Sequence, residues 1–227
     1  MDVVDSTNRV VSKLADAGEP EGLVVAADLQ TAGRGRLDRS WDAEPGSGLL
    51  VSLLLRPAEL PVARWHLLTA ATAVAARSAC AQVAGVTPDI KWPNDLLLGE
   101  RKLAGILAEG SANAMVIGMG LNVHSGPPGS AHLDGTAERR VSRTSLLVAW
   151  LAALDGLLGR WEAVTDRYRA ECSTIGREVV VEKVGGARLL GRAERIDEHG
   201  RLVVRGGDGE LTTVSVGDVT HLRAPTP

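Results

Sequence analysis

The hydrophobic period of the chain changes near Ile175-Gly176, and that change constrains the fold more than any other feature. Before it, apolar residues form runs that suit buried strands, or recur every three or four positions as helices require. After it come only short alternating runs, at 179–184, 189–196, 202–205 and 211–216. Gly185-Gly186, His199-Gly200 and Gly206-Gly207-Asp208-Gly209 separate them. Short strands joined by tight glycine turns predict a small β-barrel of about fifty residues. The chain therefore divides into 1–174 and 175–227, and its 227 residues suffice for one large domain and one small one.

Within the first part, Val3-Val4 is a candidate strand. Val10, Val11, Leu14 and Ala15 follow at helical spacing up to Gly18. Ser6 is a candidate N-cap whose hydroxyl would satisfy an orphan N–H. Residues 22–30 and 48–56 read as buried strands, the second stopped by Pro57. A long helix is predicted over 61–84, with Trp65, Leu68, Thr72, Ala75 and Ala79 on one face and Gly85 closing it. Residues 89–92 begin a strand, Pro93-Asn94-Asp95 bends the chain, and 96–98 with 102–109 form a hairpin. A further strand spans 115–123, and 124–141 reads as a long surface loop. Ser142 or Thr144 caps a helix over 146–172 that turns Trp150, Leu154, Leu157, Leu158, Trp161 and Tyr168 inward. The chain has no Phe and one Tyr, so Leu, Val and Ala fill this core, helped by five Trp.

Four short elements carry side chains that a fold alone does not need. Residues 30–41, QTAGRGRLDRSW, place Arg34, Arg36 and Arg39 among glycines between two strands. Glycine lets backbone approach a ligand, and arginine offers a fork of donors that fits carboxylate and phosphate oxygens. The bland alternative is a solvated basic loop. Ser6-Thr7-Asn8 is either a cap or a set of polar contacts at a helix start. Lys102 either snorkels at a strand end or meets an anion, and Gly105 beside it marks close approach. In GMGLNV, 118–123, Asn122 sits in an apolar strand and needs partners. Trp41 is either core or a stacking surface for a planar base.

A net charge of −3 and a pI near 6.0 argue against general nucleic-acid binding. Cys80 and Cys172 lack metal-ligand spacing and read as free, buried thiols in a reducing cytoplasm. MDVVDSTN has neither a basic n-region nor an apolar h-region, so no signal peptide is expected. The helical apolar stretches are broken by charge too soon to span a bilayer, and a cytoplasmic protein without membrane contact is expected.

Together, STN near the start, GRGRLDRSW, KWPNDLLL, RKLAGILAE and GMGLNV, in this order, resemble the biotin–protein ligases. The resemblance covers nearly the whole chain, including the C-terminal module, and is nearest the actinobacterial-type members. It implies an α+β fold: a catalytic domain with a mixed β-sheet and packed helices, of the class II synthetase-like kind, plus a C-terminal SH3-like β-barrel. It also implies an enzyme that activates biotin with ATP to biotinyl-5′-AMP and passes biotin to one lysine of a biotin carboxyl carrier domain of an acyl-CoA carboxylase. Mg2+ would arrive with the nucleotide rather than in a protein cage. By resemblance, Ser6, Thr7, Asn8 and Gln30 contact the ureido ring, and Gly33, Arg34, Gly35 and Arg36 line the biotin site with Lys102. Gly105 and Gly118 allow close approach. Arg34, Arg36 and Lys102 would lie around the biotin carboxyl and the α-phosphate and screen the two anions that meet in adenylation, and Arg39 would hold phosphate oxygens. Trp41 would stack on adenine, and Asn94 and Asn122 would bond to the nucleotide. Asp95 would orient or deprotonate the incoming lysine, or is simply a turn residue. The Gly/Arg loop is expected to be mobile when free and to order over the adenylate.

The sequence departs from many bacterial relatives at its start. They carry an N-terminal winged helix and act as repressors, whereas this chain begins five residues before Ser6. No operator DNA binding is expected. Lipoate–protein ligase activity and a non-catalytic biotin-sensing role are the alternatives. KWPND with KLAGIL favours biotin over lipoate, and the presence of Arg34, Arg36, Arg39, Lys102 and Asn122 disfavours a sensor.

Overall fold

A computed structural model of the chain describes residues 1–111, 113–183, 186–215 and 217–222. Val184, Gly185 and Val216, which belong to the expected strands and turns, lie outside the described residues. The N-terminal part runs β1 (Val3–Val4), α1 (Thr7–Asp16), β2 (Val24–Ala27), β3 (Leu29–Gln30), β4 (Gly48–Leu55), α2 (His66–Ala84), β5 (Asp89–Lys91), β6 (Asp95–Leu98), β7 (Arg101–Gly110), β8 (Met115–Asn122), α3 (Arg143–Asp155) and α4 (Trp161–Glu171). Six strands form one sheet in the order β2-β4-β8-β7-β6-β5, every pairing antiparallel. β1 and β3 pair in parallel as a separate ribbon.

Both faces of the sheet are covered, which is why β4 is buried along its whole length, Ser52 included. α1 packs Val11 against Val25, Leu54 and Val116 on one face. α2 fills the other face with alanines, backed by α3 and α4. Small side chains let that helix lie close to the strands. By length and composition, the stretch Val62–Ala84 is in fact long and apolar enough to cross a membrane, contrary to the expectation. Most of it is buried inside the molecule, so its hydrophobicity serves the core.

Four other expectations change. The strand expected over 22–30 divides at Asp28, because β2 and β3 join different sheets. The helix expected over 146–172 breaks between α3 and α4, where Gly159 takes φ +80°. Residues 124–141 are not all surface: Ala131, Leu133 and Val141 are buried, and Asp134 ties the segment down through His124 and the Val141 N–H. Ser6 occupies the N-cap position of α1, but its hydroxyl makes no capping bond. The Thr7 N–H instead donates to Gln30 Oε1, 2.8 Å away.

The C-terminal part is a five-stranded antiparallel sheet of β9 (Glu178–Lys183), β10 (Arg188–Ile196), β11 (Leu202–Arg205), β12 (Leu211–Val214) and β13 (Gly217–His221), ordered β12-β11-β10-β9-β13. β13 was not foreseen as a separate strand. It brings the chain back beside β9 and so carries the C-terminal sheet toward the first one. The seam between the two sheets is hydrogen-bonded. Trp92 Nε1 donates to the Gly200 carbonyl, and the Trp92 N–H donates to Thr174 Oγ1. Thr174 in turn has its proton free for His221 Nε2, 3.0 Å away.

Burial pushes His221 down to about 4 from its ordinary 6.5. The unfolded chain therefore binds more protons than the folded one between those two values. Stability should fall as pH drops from 6.5 toward 4 and level off below. Urea midpoints measured across that window should show the slope, and His221→Leu should flatten it. Burial also raises both thiols, Cys80 to about 12 and Cys172 above its ordinary value, so neither is a nucleophile at neutral pH.

Candidate active site

Residues 33–41 form a small hairpin rather than an open coil. The Gly35 N–H donates to the Arg39 carbonyl and the Trp41 N–H to the Gly33 carbonyl, while Arg34 bridges to Ser40. Its tip turns through Leu37 and Asp38, at φ +54° and +57°. Left-handed backbone at two residues with side chains costs about 1–2 kcal/mol each, so tertiary contacts must hold the tip. They are visible: Arg34 pairs with Glu109 at 2.8 Å, Arg39 with Asp218 of β13 at 2.8 Å, and Arg36 donates to Asn94 Oδ1 at 3.0 Å.

Under the hairpin lies a cavity. Its walls include Ser6, Thr7 and Asn8 from the start of α1, Gln30 from β3, and Arg34, Gly35, Arg36, Arg39 and Trp41 from the hairpin. Asn94, Asp95, Lys102 and Gly105 come from β6, β7 and the turn before them, Gly118 from β8, and Asp218 from β13. Gly105 and Gly120 are directly paired across β7 and β8 and make a floor without side chains. The Trp41 indole lies on it: a Cβ on Gly120 would come within 2.3 Å of the ring. Lys102 Nζ stands 5.6 Å from the ring centroid. Gly118 plays the same part for Asn8, whose Oδ1 would sit 2.1 Å from an added Cβ.

The cations differ in how they are compensated. Lys102 pairs with Asp95 at 2.7 Å, and Arg34 and Arg39 each have a carboxylate. Arg36 has the neutral Asn94 amide, whose Nδ2 is itself committed to the Ile106 carbonyl at 2.7 Å. Burial lowers the Arg36 pKa from its ordinary value, but a guanidinium stays charged. A half-buried cation whose hydrogen-bond partner is neutral attracts an anion. The cavity thus offers a cationic end near Arg36 and Lys102 and a polar, uncharged end near Thr7, Asn8 and Gln30.

Two expected residues do not line this cavity. Asn122 is buried, and its Nδ2 donates to the Ala131 carbonyl, fastening the 124–141 segment to β8. Gly33 opens the hairpin opposite Trp41, where a Cβ would strike the Trp41 carbonyl. Three residues that bear on the site were not foreseen. Ser52 is a lone polar residue in the apolar run of β4, a signal that was present in the sequence. Glu109 closes the RKLAGILAE motif, where its role is not apparent from its neighbours. Asp218 had no local signal, because only the return of β13 brings it to the hairpin.

Fold and cavity together define a ligase class. Residues 1–123 match the Biotin/lipoate A/B protein ligase family, and residues 174–222 match the Biotin protein ligase C terminal domain. A Biotin--[acetyl-CoA-carboxylase] ligase from Mycobacterium tuberculosis is 36% identical, over 96% of this chain and 86% of that protein. One from Paracoccus denitrificans is 34% identical, over 90% of this chain and 92% of that protein. In fold, the chain is similar to the biotin protein ligase from Aquifex aeolicus in complex with biotin and ATP, with a TM-score of 0.84, 24% identity, and coverage of 99% and 97% of the two chains. The chain belongs to the biotin protein ligase family.

Proposed function

We propose that the chain is a biotin–[acetyl-CoA-carboxylase] ligase. It activates biotin with Mg·ATP to biotinyl-5′-AMP and transfers the biotinyl group to one lysine of a biotin carboxyl carrier domain. The observation that carries this reading is the single cavity that joins Arg36 and Lys102 to a neutral polar pocket over a glycine floor. Mg2+ would be delivered with the nucleotide phosphates rather than held in a protein cage. We place the domain boundary at 174/175 and the site of action in the cytoplasm, where ATP is supplied.

In the first step a biotin carboxylate oxygen attacks the α-phosphorus, and the bond to the bridging oxygen breaks to release pyrophosphate. Arg36 and Lys102 screen the two approaching anions. Lys102 must give up Asp95 to do so. Arg34, with Gly33 and Gly35, shapes the hairpin over the biotin carboxyl, and Arg39 reaches phosphate oxygens. Ser6, Thr7, Asn8 and Gln30 meet the ureido ring, and Gly105 and Gly118 admit it. Trp41 leaves the glycine floor to stack on adenine, with Asn94 bonding to the nucleotide. In the second step the neutral acceptor amine attacks the acyl carbon, AMP leaves, and the nitrogen loses a proton. Asp95, freed from Lys102, orients that amine.

The Arg39–Asp218 pair is too exposed to contribute more than about 1 kcal/mol. Asp218→Ala should change KM for ATP by less than about fivefold, with the effect fading at high salt. KM measured in low and high salt checks this.

The test of function uses labelled biotin, Mg·ATP and a carrier domain, with a carrier whose target lysine is alanine as control. Label on the intact carrier alone supports both steps. Absence of label and of biotin-dependent pyrophosphate exchange, with lipoate accepted instead, would transfer the reading to a lipoate ligase.

A further inference from the structure

Ser52 and Glu109 stand outside the cavity walls, yet both are tied to its neutral end. Asn8 Nδ2 donates to Glu109 Oε2 at 2.7 Å and to the Leu107 carbonyl at 3.3 Å. Both partners are acceptors only, so the Asn8 amide has one orientation, with Oδ1 facing Ser52 Oγ at 2.6 Å. At the other side of the pocket the Thr7 N–H orients Gln30 by donating to Oε1. Ser52 Oγ and Thr7 Oγ1 bridge these two carbonyl oxygens. They lie 2.8 Å from each other, and Thr7 Oγ1 lies 3.0 Å from Gln30 Oε1.

The run Asn8 Oδ1, Ser52 Oγ, Thr7 Oγ1, Gln30 Oε1 thus has four oxygens and three contacts, but only the two hydroxyl protons of Ser52 and Thr7 to fill them. One contact lacks a proton. The Ser52 proton belongs to the Asn8 contact, the shortest of the three at 2.6 Å, since an amide oxygen can only accept. The deficit then falls on Thr7, whose proton cannot serve Ser52 and Gln30 together. Thr7 and Gln30 line the cavity, whereas Ser52 does not. A buried acceptor facing another acceptor is unfavourable, and a ligand that brings an N–H to it removes the penalty.

We propose that Ser52 and Glu109 are positioning residues for ligand specificity. Acting through Asn8, they leave the neutral end of the cavity one proton short, so it selects a ring that carries an N–H donor. The inference rests on the ligase reading above. Biotin's ureido ring has such donors, and the dithiolane ring of lipoate has none. A site built around unpaired hydrogen-bonding groups rejects analogues that lack the partner more strongly than an apolar pocket does.

Ser52→Ala removes the deficit: it takes out one oxygen of the run, so the Thr7 proton serves Gln30 without competition. Glu109→Gln keeps it, because the new side chain's amide oxygen and the Leu107 carbonyl both still accept from Asn8 Nδ2. Calorimetric Kd values for biotin, and for biotin methylated on its ureido nitrogens, give a discrimination ratio for each protein. The wild-type ratio should be about tenfold or more; Ser52→Ala should bring it down at least about fivefold, and Glu109→Gln should keep it. Glu109→Gln also loses the Arg34 ion pair, which weakens both ligands alike and leaves the ratio untouched. A ratio unchanged from wild type in Ser52→Ala overturns the inference, since a merely structural role lowers both affinities together; so does a ratio that falls in Glu109→Gln. A wild-type protein that binds biotin but does not discriminate overturns it as well. Failure of the wild type to bind biotin at all would instead sink the ligase reading.

Discussion

Replacing Arg36 with alanine should slow biotinyl-adenylate formation by about 10²- to 10³-fold while leaving the free protein as stable as before or slightly more so. The two halves of this expectation have one cause. Arg36 is half-buried, and the group it bonds to is the neutral Asn94 rather than a carboxylate. Holding that charge in the empty site is a cost, recovered only when the carboxylate and α-phosphate arrive. Lys102 differs: it already has Asp95 at 2.7 Å, so Lys102→Ala leaves a carboxylate without its cation and should lower stability as well as rate. Arg36→Lys should recover little, because an ammonium cannot reach two oxygens at once as a guanidinium does. Biotin-dependent pyrophosphate exchange measures the rate, and thermal melts measure the stability. An Arg36→Ala enzyme within threefold of wild type in exchange would remove Arg36 from the reaction.

A single methyl group at Gly118 should abolish biotin binding at working concentrations, and the same change two residues on should act elsewhere. The Cβ of Gly118→Ala would lie 2.1 Å from Asn8 Oδ1, where the Ser52 bond is made. Asn8 must move, and with it the contacts to Glu109 and Thr7. We expect a loss of biotin affinity of about 100-fold, with about 1–3 kcal/mol of stability. In Gly120→Ala the added Cβ meets the Trp41 indole instead. That indole belongs to a hairpin with few buried contacts, so it can leave. Gly120→Ala should keep biotin affinity within about tenfold, but change the tryptophan fluorescence of the free protein. Calorimetry with biotin and emission spectra of both variants separate the two cases. Equal losses of biotin affinity would mean that the floor acts as one unit.

Much of this was legible because it is local. Glycines with arginines in 30–41, the lone lysine beside Gly105, and the polar triplet Ser6-Thr7-Asn8 are conspicuous against apolar strands, and the cavity gathers nearly all of them. What misled was also local. Ser6 sits where a cap belongs, but the tertiary partner Gln30 satisfies the Thr7 N–H, so propensity had no say. Asn122 looked like a ligand residue because its partner, the Ala131 carbonyl, lies in a segment with no pattern to announce that it folds back. Apolar periodicity continues through Gly159, but Gly156 and Gly159 end α3 locally, the second at φ +80°.

By itself, then, the sequence determined the change of period near 175, the strands and helices on each side of it, and the residue types able to neutralise a carboxylate and a phosphate. Each follows from near neighbours, through side-chain alternation, helical spacing and backbone freedom. The tertiary structure alone decided which cation is left with a neutral partner, which carboxylates hold the others, and how Glu109 and Ser52 orient Asn8. Those choices depend on which side chains meet across strands, and a hydrogen bond or ion pair is made at about 3 Å, whatever the distance along the chain.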